Sequence, residues 1–205
     1  MISFLTTGTI LGLSAGFAPG PLLALVISET IEHGVGAGVK VALAPIITDL
    51  PIIIITLFIL AKLSSFHSVL GIISIIGAIF ILYMGIENIR IKGVSLDINK
   101  SSPRSFQKGI IVNALSPHPY LFWFSVGGPT TLKAMGQSLP AATAFVLSFY
   151  LLLVGSKMVL AFLVGKSRTF LLGNKYIFTM RLLGFILIIF AGFLFQDGLH
   201  LLGVF

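Results

Sequence analysis

The chain has 205 residues, of which 57% are hydrophobic and 9% charged, and its mean hydropathy is +1.10. Soluble domains carry roughly 25% charged residues because a water-facing surface needs them, so a soluble globular domain is excluded and the lipid bilayer is the solvent. The net charge of +7 falls in short runs between apolar stretches, a pattern of membrane-protein loops rather than of a nucleic-acid-binding patch. With no cysteine, thiol exchange, thiolate metal sites and disulfides are also excluded.

A membrane-spanning helix needs about 20 apolar residues. Six stretches qualify: residues 4–28, 36–61, 68–88, 109–132, 139–164 and 179–202. The first begins beside Met1, but residues 2–9 contain no Lys or Arg, so it reads as a spanning helix rather than a cleaved signal peptide. It contains Gly16-Phe-Ala-Pro-Gly-Pro21. Two prolines in one turn remove two backbone donors and clash with the preceding carbonyls, so Pro19 and Pro21 open the helix. Gly20 between them admits backbone angles closed to other residues. The polar turn Glu29-Thr-Ile-Glu-His-Gly34 follows; Glu29, like Glu87, reads as solvated charge at a helix end.

The second stretch opens with Gly34-x-Gly36-x-Gly38, a small-residue face for close helix packing and not a phosphate loop. Asp49 lies near its middle, within Ala44-Pro-Ile-Ile-Thr-Asp-Leu-Pro51. A carboxylate at that depth costs about 2.5–3.5 kcal/mol or more, so it faces a cavity or a partner. Three roles fit it: proton coupling, binding of a substrate ammonium, or a structural bond to backbone freed by the prolines. After the third stretch comes the basic connection 90–108, whose Pro103 breaks any helix and which reads as a linker. A basic segment beside the membrane also attracts anionic lipid.

The fourth stretch carries Asn113-Ala-Leu-Ser-Pro-His-Pro119, a second Pro-x-Pro. Pro117 and Pro119 stand 98 residues after Pro19 and Pro21. His118 serves either coupling or a structural bond, and Asn113 bonds the opened backbone, a substrate or its packing neighbours. Trp123 and the many phenylalanines read as lipid contacts or packing. In the fifth stretch, Lys157 either snorkels toward the interface or pairs with Asp49. His33, His67 and His200 show no metal-ligand spacing among them, and no metal or cofactor is expected.

Loop charge orients this bundle. Connections 1–2, 3–4 and 5–6 hold Lys40, Arg90, Lys92, Lys100, Arg104, Lys108, Lys166, Arg168, Lys175 and Arg181, against Lys62 and Lys133 on the other face. That asymmetry puts the basic face in the cytoplasm of a cell membrane and both termini outside. The matched Pro-x-Pro segments open two halves of three helices each, and an odd number per half inverts the second relative to the first. The expected fold class is thus all-α, a polytopic membrane protein of six transmembrane helices in two inverted three-helix repeats. Residues 1–205 form one membrane domain, with repeat one at about 1–89, the basic loop at 90–108 and repeat two at about 109–205.

Taken together, Gly12-x-x-x-Gly16-Phe-Ala-Pro-Gly-Pro21, the Glu- and His-containing turn, Gly34-x-Gly-Ala-Gly38 and Thr48-Asp49 resemble the lysine-exporter (LysE/RhtB) family of translocators, over nearly the whole chain. The resemblance implies export of amino acids or related small metabolites driven by an ion gradient without ATP, and carries over to Pro19, Gly20, Pro21 and Asp49. Two positions depart from the family pattern. Ser116-Pro117-His118 stands where an Asn-Pro-Lys-like motif is usual, and Ala44-Pro45 where glycine is common, so the chain looks like a divergent member.

The function expected is a secondary exporter, not an enzyme, working by alternating access around the two broken helices. Its partners are a small-molecule substrate, a proton or sodium as coupling ion and the lipid bilayer; small-residue helix faces also permit a homodimer. The alternatives are a metal-ion exporter of similar helix plan and a non-transporting membrane scaffold. A thiol-electron carrier of that plan would need the cysteines this chain lacks.

Overall fold

The computed structural model describes residues 1–18, 20–63, 67–90, 104–166 and 174–204. Pro19, Lys92, Lys100, Pro103 and Arg168 lie outside them. Among the described residues the chain is all-helical, with no strand.

The first apolar stretch is two helices, α1 (Ile2–Phe17) and α2 (Pro21–His33), bent by 60° across the Pro-Gly-Pro segment. Gly34 then turns the chain at φ +85°, a left-handed conformation that favours glycine. Beyond it, α3 (Val35–Ala42) and α4 (Ala44–Leu63) give the second apolar stretch, followed by α5 (His67–Arg90). The fourth stretch is broken into α6 (Ser105–Leu115), α7 (Pro117–Phe122), a π-helical turn (Trp123–Gly127) and α8 (Gly128–Gln137). Two long helices close the chain, α9 (Leu139–Lys166) and α10 (Asn174–Leu201).

Among the described residues three segments are long and apolar enough to cross a bilayer: Val35–Ala61, Leu139–Lys166 and Gly184–Leu201. The bent pair of α1 and α2 makes a fourth. Ile54, Ile55 and Phe58 on α4, Leu147 and Leu151 on α9, and Phe185 and Phe193 on α10 all point outward. So much exposed apolar surface suits lipid, not water. This is a membrane protein.

The packing interleaves the beginning and end of the chain. α1 lies along α9, α3 lies against α6, α4 lies against α6 and α8, and α5 runs beside α10. Gly8, Gly12 and Gly16 recur every fourth residue on α1, where a methyl group would collide with the backbone carbonyls of Phe145, Phe149 and Leu153 on α9. Lipid supplies no hydrophobic drive between helices, so such close backbone approach is what holds them. A buried aromatic cluster completes the centre: Phe122 stacks on Phe149 with ring centroids 4.8 Å apart, and Trp123 meets Phe149 edge-on at 5.6 Å.

The helix that opens the fourth apolar stretch begins earlier than the sequence pattern indicated. Ser105 and Lys108 belong to the first turn of α6 rather than to a linker. The pull comes from Glu29, which Ser105 Oγ and Lys108 Nζ both reach.

Candidate functional site

The site is built where two helices stop. α1 ends at Phe17, with the Ala18 N–H still reaching the carbonyl of Ser14 at 2.9 Å. Proline at position 19 has no N–H to return to the carbonyl of Ala15, and the bend carries Gly20 away from that of Gly16. Lys157 fills both vacancies: its Nζ donates to Ala15 O at 3.1 Å and to Gly16 O at 2.8 Å. A cation is well placed there, because the last carbonyls of a helix form its negative pole.

The second break is repaired from within. Ser116 N–H reaches the carbonyls of Val112 and Asn113 at 3.1 and 3.2 Å, and Tyr120 Oη donates to Ala114 O at 2.8 Å. Pro117 and Pro119 then lie in the first turn of α7, where a missing N–H costs nothing.

Asp49, on α4, is 3% exposed and ringed by donors. Asn113 Nδ2 donates to its Oδ1 at 2.8 Å and to Thr48 Oγ1 at 2.7 Å. Tyr150 Oη and Trp123 Nε1 approach Oδ2 at 3.1 and 3.4 Å, and Thr48 Oγ1 stands 3.3 Å from Oδ1. An ionised carboxylate only accepts, with about four sites, and the Asn113 NH₂ group and the Trp123 indole N–H that face it only donate, so the ring is matched to the anion. The cage is assembled from α4, α6, the π turn and α9.

Asp49 and Lys157 line one cavity of about 110 Å³, together with Gly20, Pro21, Pro45, Asn113, His118 and Pro119. That is room for several waters or a small solute. Seven of the nine residues singled out in the sequence therefore meet at one place. Pro19 lies outside the described residues, and Pro117 is described only by its backbone at the start of α7.

Three expectations need correction, and one alternative is decided. Asp49 and Lys157 do not form an ion pair; each is bonded to other groups, because the carbonyls opened at the first break take the ammonium. Gly20 is extended (φ 177°), and a methyl group added there would meet no described atom within 4 Å, so its backbone makes no demand for glycine. Of the two readings of Trp123, lipid contact or packing, the structure takes packing: the ring is fully buried and its N–H reaches Asp49. Glu29 is 2% exposed and ion-paired with Lys108, not solvated. Tyr150 escaped the sequence reading altogether; the only signal was a hydroxyl in the same apolar stretch as Lys157.

A helical membrane protein with a polar cavity at the junction of two interrupted helices has the plan of a solute translocator. The family comparison agrees in kind: the family model of the LysE type translocators matches residues 13–198, and the chain belongs to that family. No curated protein and no solved structure matches the chain.

Proposed function

We propose that the protein is a secondary-active exporter of amino acids or related small metabolites. It works by alternating access around its two proline-broken helices and is coupled to protons. The observation that carries this reading is the cavity faced by the Asp49 carboxylate on one side and the Lys157 ammonium on the other. A zwitterion has the complementary pair of charges. The first turn of α2 also lines the cavity through Pro21, Leu22 and Leu23, and a helix N-terminus favours the carboxylate of such a solute.

In this reading the chain crosses the plasma membrane six times as two inverted repeats, with its basic connections in the cytoplasm and its termini outside. The interleaved packing supports it. Exchanging the halves swaps the contact of α1 and α9 with that of α6 and α8 with α3 and α4, and returns the contact of α5 and α10 to itself. Asp49 is the coupling group: protonation loosens a cage built for the anion and lets the two halves move. The cavity itself speaks against a scaffold, which has no need of one.

The test is efflux of a labelled amino-acid panel from proteoliposomes under separately imposed proton and sodium gradients. Proton-driven flux that disappears in Asp49→Asn supports the reading. A folded protein that moves no panel member, or whose flux ignores both gradients, overturns it.

A further inference from the structure

Away from the cavity, the last turn of α2 gathers three donor groups. Glu29, Glu32 and His33 each offer one ligand atom, and all three atoms lie within 4.8 Å of one another. We propose that these residues form a binding site for a divalent transition cation of the Zn²⁺ class, in competition with the Lys108 ammonium.

Glu32 carries the argument. Its side chain is 8% exposed, yet neither carboxylate oxygen has a hydrogen-bond partner among the described residues. The nearest positive group described is His33 Nε2 at 3.7 Å, which is charged only when protonated. A buried carboxylate is expensive unless it is paired or coordinates a cation. Its position makes this worse, since the C-terminal end of a helix already presents negative potential. Beside it, Glu29 is answered by Lys108 and by the hydroxyl of Ser105. Lys108 answers Glu29, and the ion pair described for Glu32 is the one with His33, which is charged only when protonated.

The donor set names the class of cation. One imidazole nitrogen with two carboxylate groups suits Zn²⁺ and its neighbours better than Mg²⁺ or Ca²⁺, which prefer oxygen alone. Tetrahedral bonds of about 2.0–2.2 Å put ligand atoms roughly 3.4 Å apart, so the three side chains need close in by only about an ångström. The side chain of His33 is 25% exposed, which leaves room for a water as fourth ligand and a route in from solvent. Lys108 and the metal share Glu29, so binding weakens the contact between α2 and α6.

Zn²⁺ binding is measured by calorimetry on the full chain in detergent, for wild type, Glu32→Gln, His33→Gln and Lys108→Gln. The expected result is one Zn²⁺ per chain in wild type, with affinity falling at least about tenfold in Glu32→Gln and His33→Gln. Lys108→Gln removes the competitor and binds more tightly, a gain that misfolding does not produce. Wild type without binding in the micromolar range overturns the site, as does binding that Glu32→Gln leaves unchanged. The measurement involves no flux, so its failure leaves the exporter reading where it stood.

Discussion

Lys157 and Gly16 are joined at 2.8 Å across 141 positions of sequence, ammonium to carbonyl oxygen. Asp49 answers this in reverse: three of its four donors, Asn113, Trp123 and Tyr150, come from the later part of the chain. Asp49, early in the chain, is thus held mainly by later residues, and Lys157, late in the chain, by earlier ones.

Lys157→Met leaves two buried carbonyls without a donor. The expected cost is about 1–3 kcal/mol, read as a lower melting temperature in detergent, with substrate flux lost. A variant that melts like wild type would show that water replaces the ammonium there.

Tyr150→Phe removes one donor from Asp49 and nothing else of its shape. Stability falls by about 1 kcal/mol, and flux falls with it while remaining proton-driven. Asp49→Asn acts differently, because it turns an amide donor toward donors, and it abolishes the response to the proton gradient. The two are told apart by flux measured at several imposed pH differences.

The glycines of the broken helix separate by position. Gly12→Ala drives a methyl into the carbonyl of Phe149, an overpacking cost of about 1–3 kcal/mol. Gly20→Ala meets no described atom within 4 Å and is expected within about 0.5 kcal/mol of wild type. Thermal unfolding of the pair decides whether close helix approach or backbone freedom is what this segment requires.

Two ion pairs make a second contrast. Lys133 reaches Asp197 at 3.0 Å with both side chains more than half exposed, so Lys133→Ala costs under about 1 kcal/mol. Lys108→Met strips the cation from Glu29, which is almost wholly buried, and costs on the order of 3 kcal/mol. Raising the salt concentration weakens the first contact and spares the second.

Much of the site was written locally. Proline has one backbone meaning wherever it falls in a helix, so Pro21 and Pro119 announced the interruptions, and a carboxylate at Asp49 announced a polar interior. What stayed hidden depends on distant partners. Nothing near Trp123 or Tyr150 says that they converge on Asp49, and the π turn has no composition of its own. Lys157 was legible by its depth, but charge alone suggested the wrong partner. The missing N–H at Pro19 was the better clue, because an opened carbonyl needs a donor as much as a carboxylate does. Glu29 looked like an ordinary helix-end acid because Ser105 and Lys108 lie more than 70 positions away.

The interleaving of early and late helices also bears on how the protein is made. α1 waits for α9, and α5 waits for α10. During synthesis α1 therefore enters the bilayer with its glycine face bare and the Ala15 and Gly16 carbonyls unanswered. It needs a protected place beside the insertion machinery until the ribosome has delivered Lys157. Translation speed through the second half then sets how long that vulnerable intermediate persists.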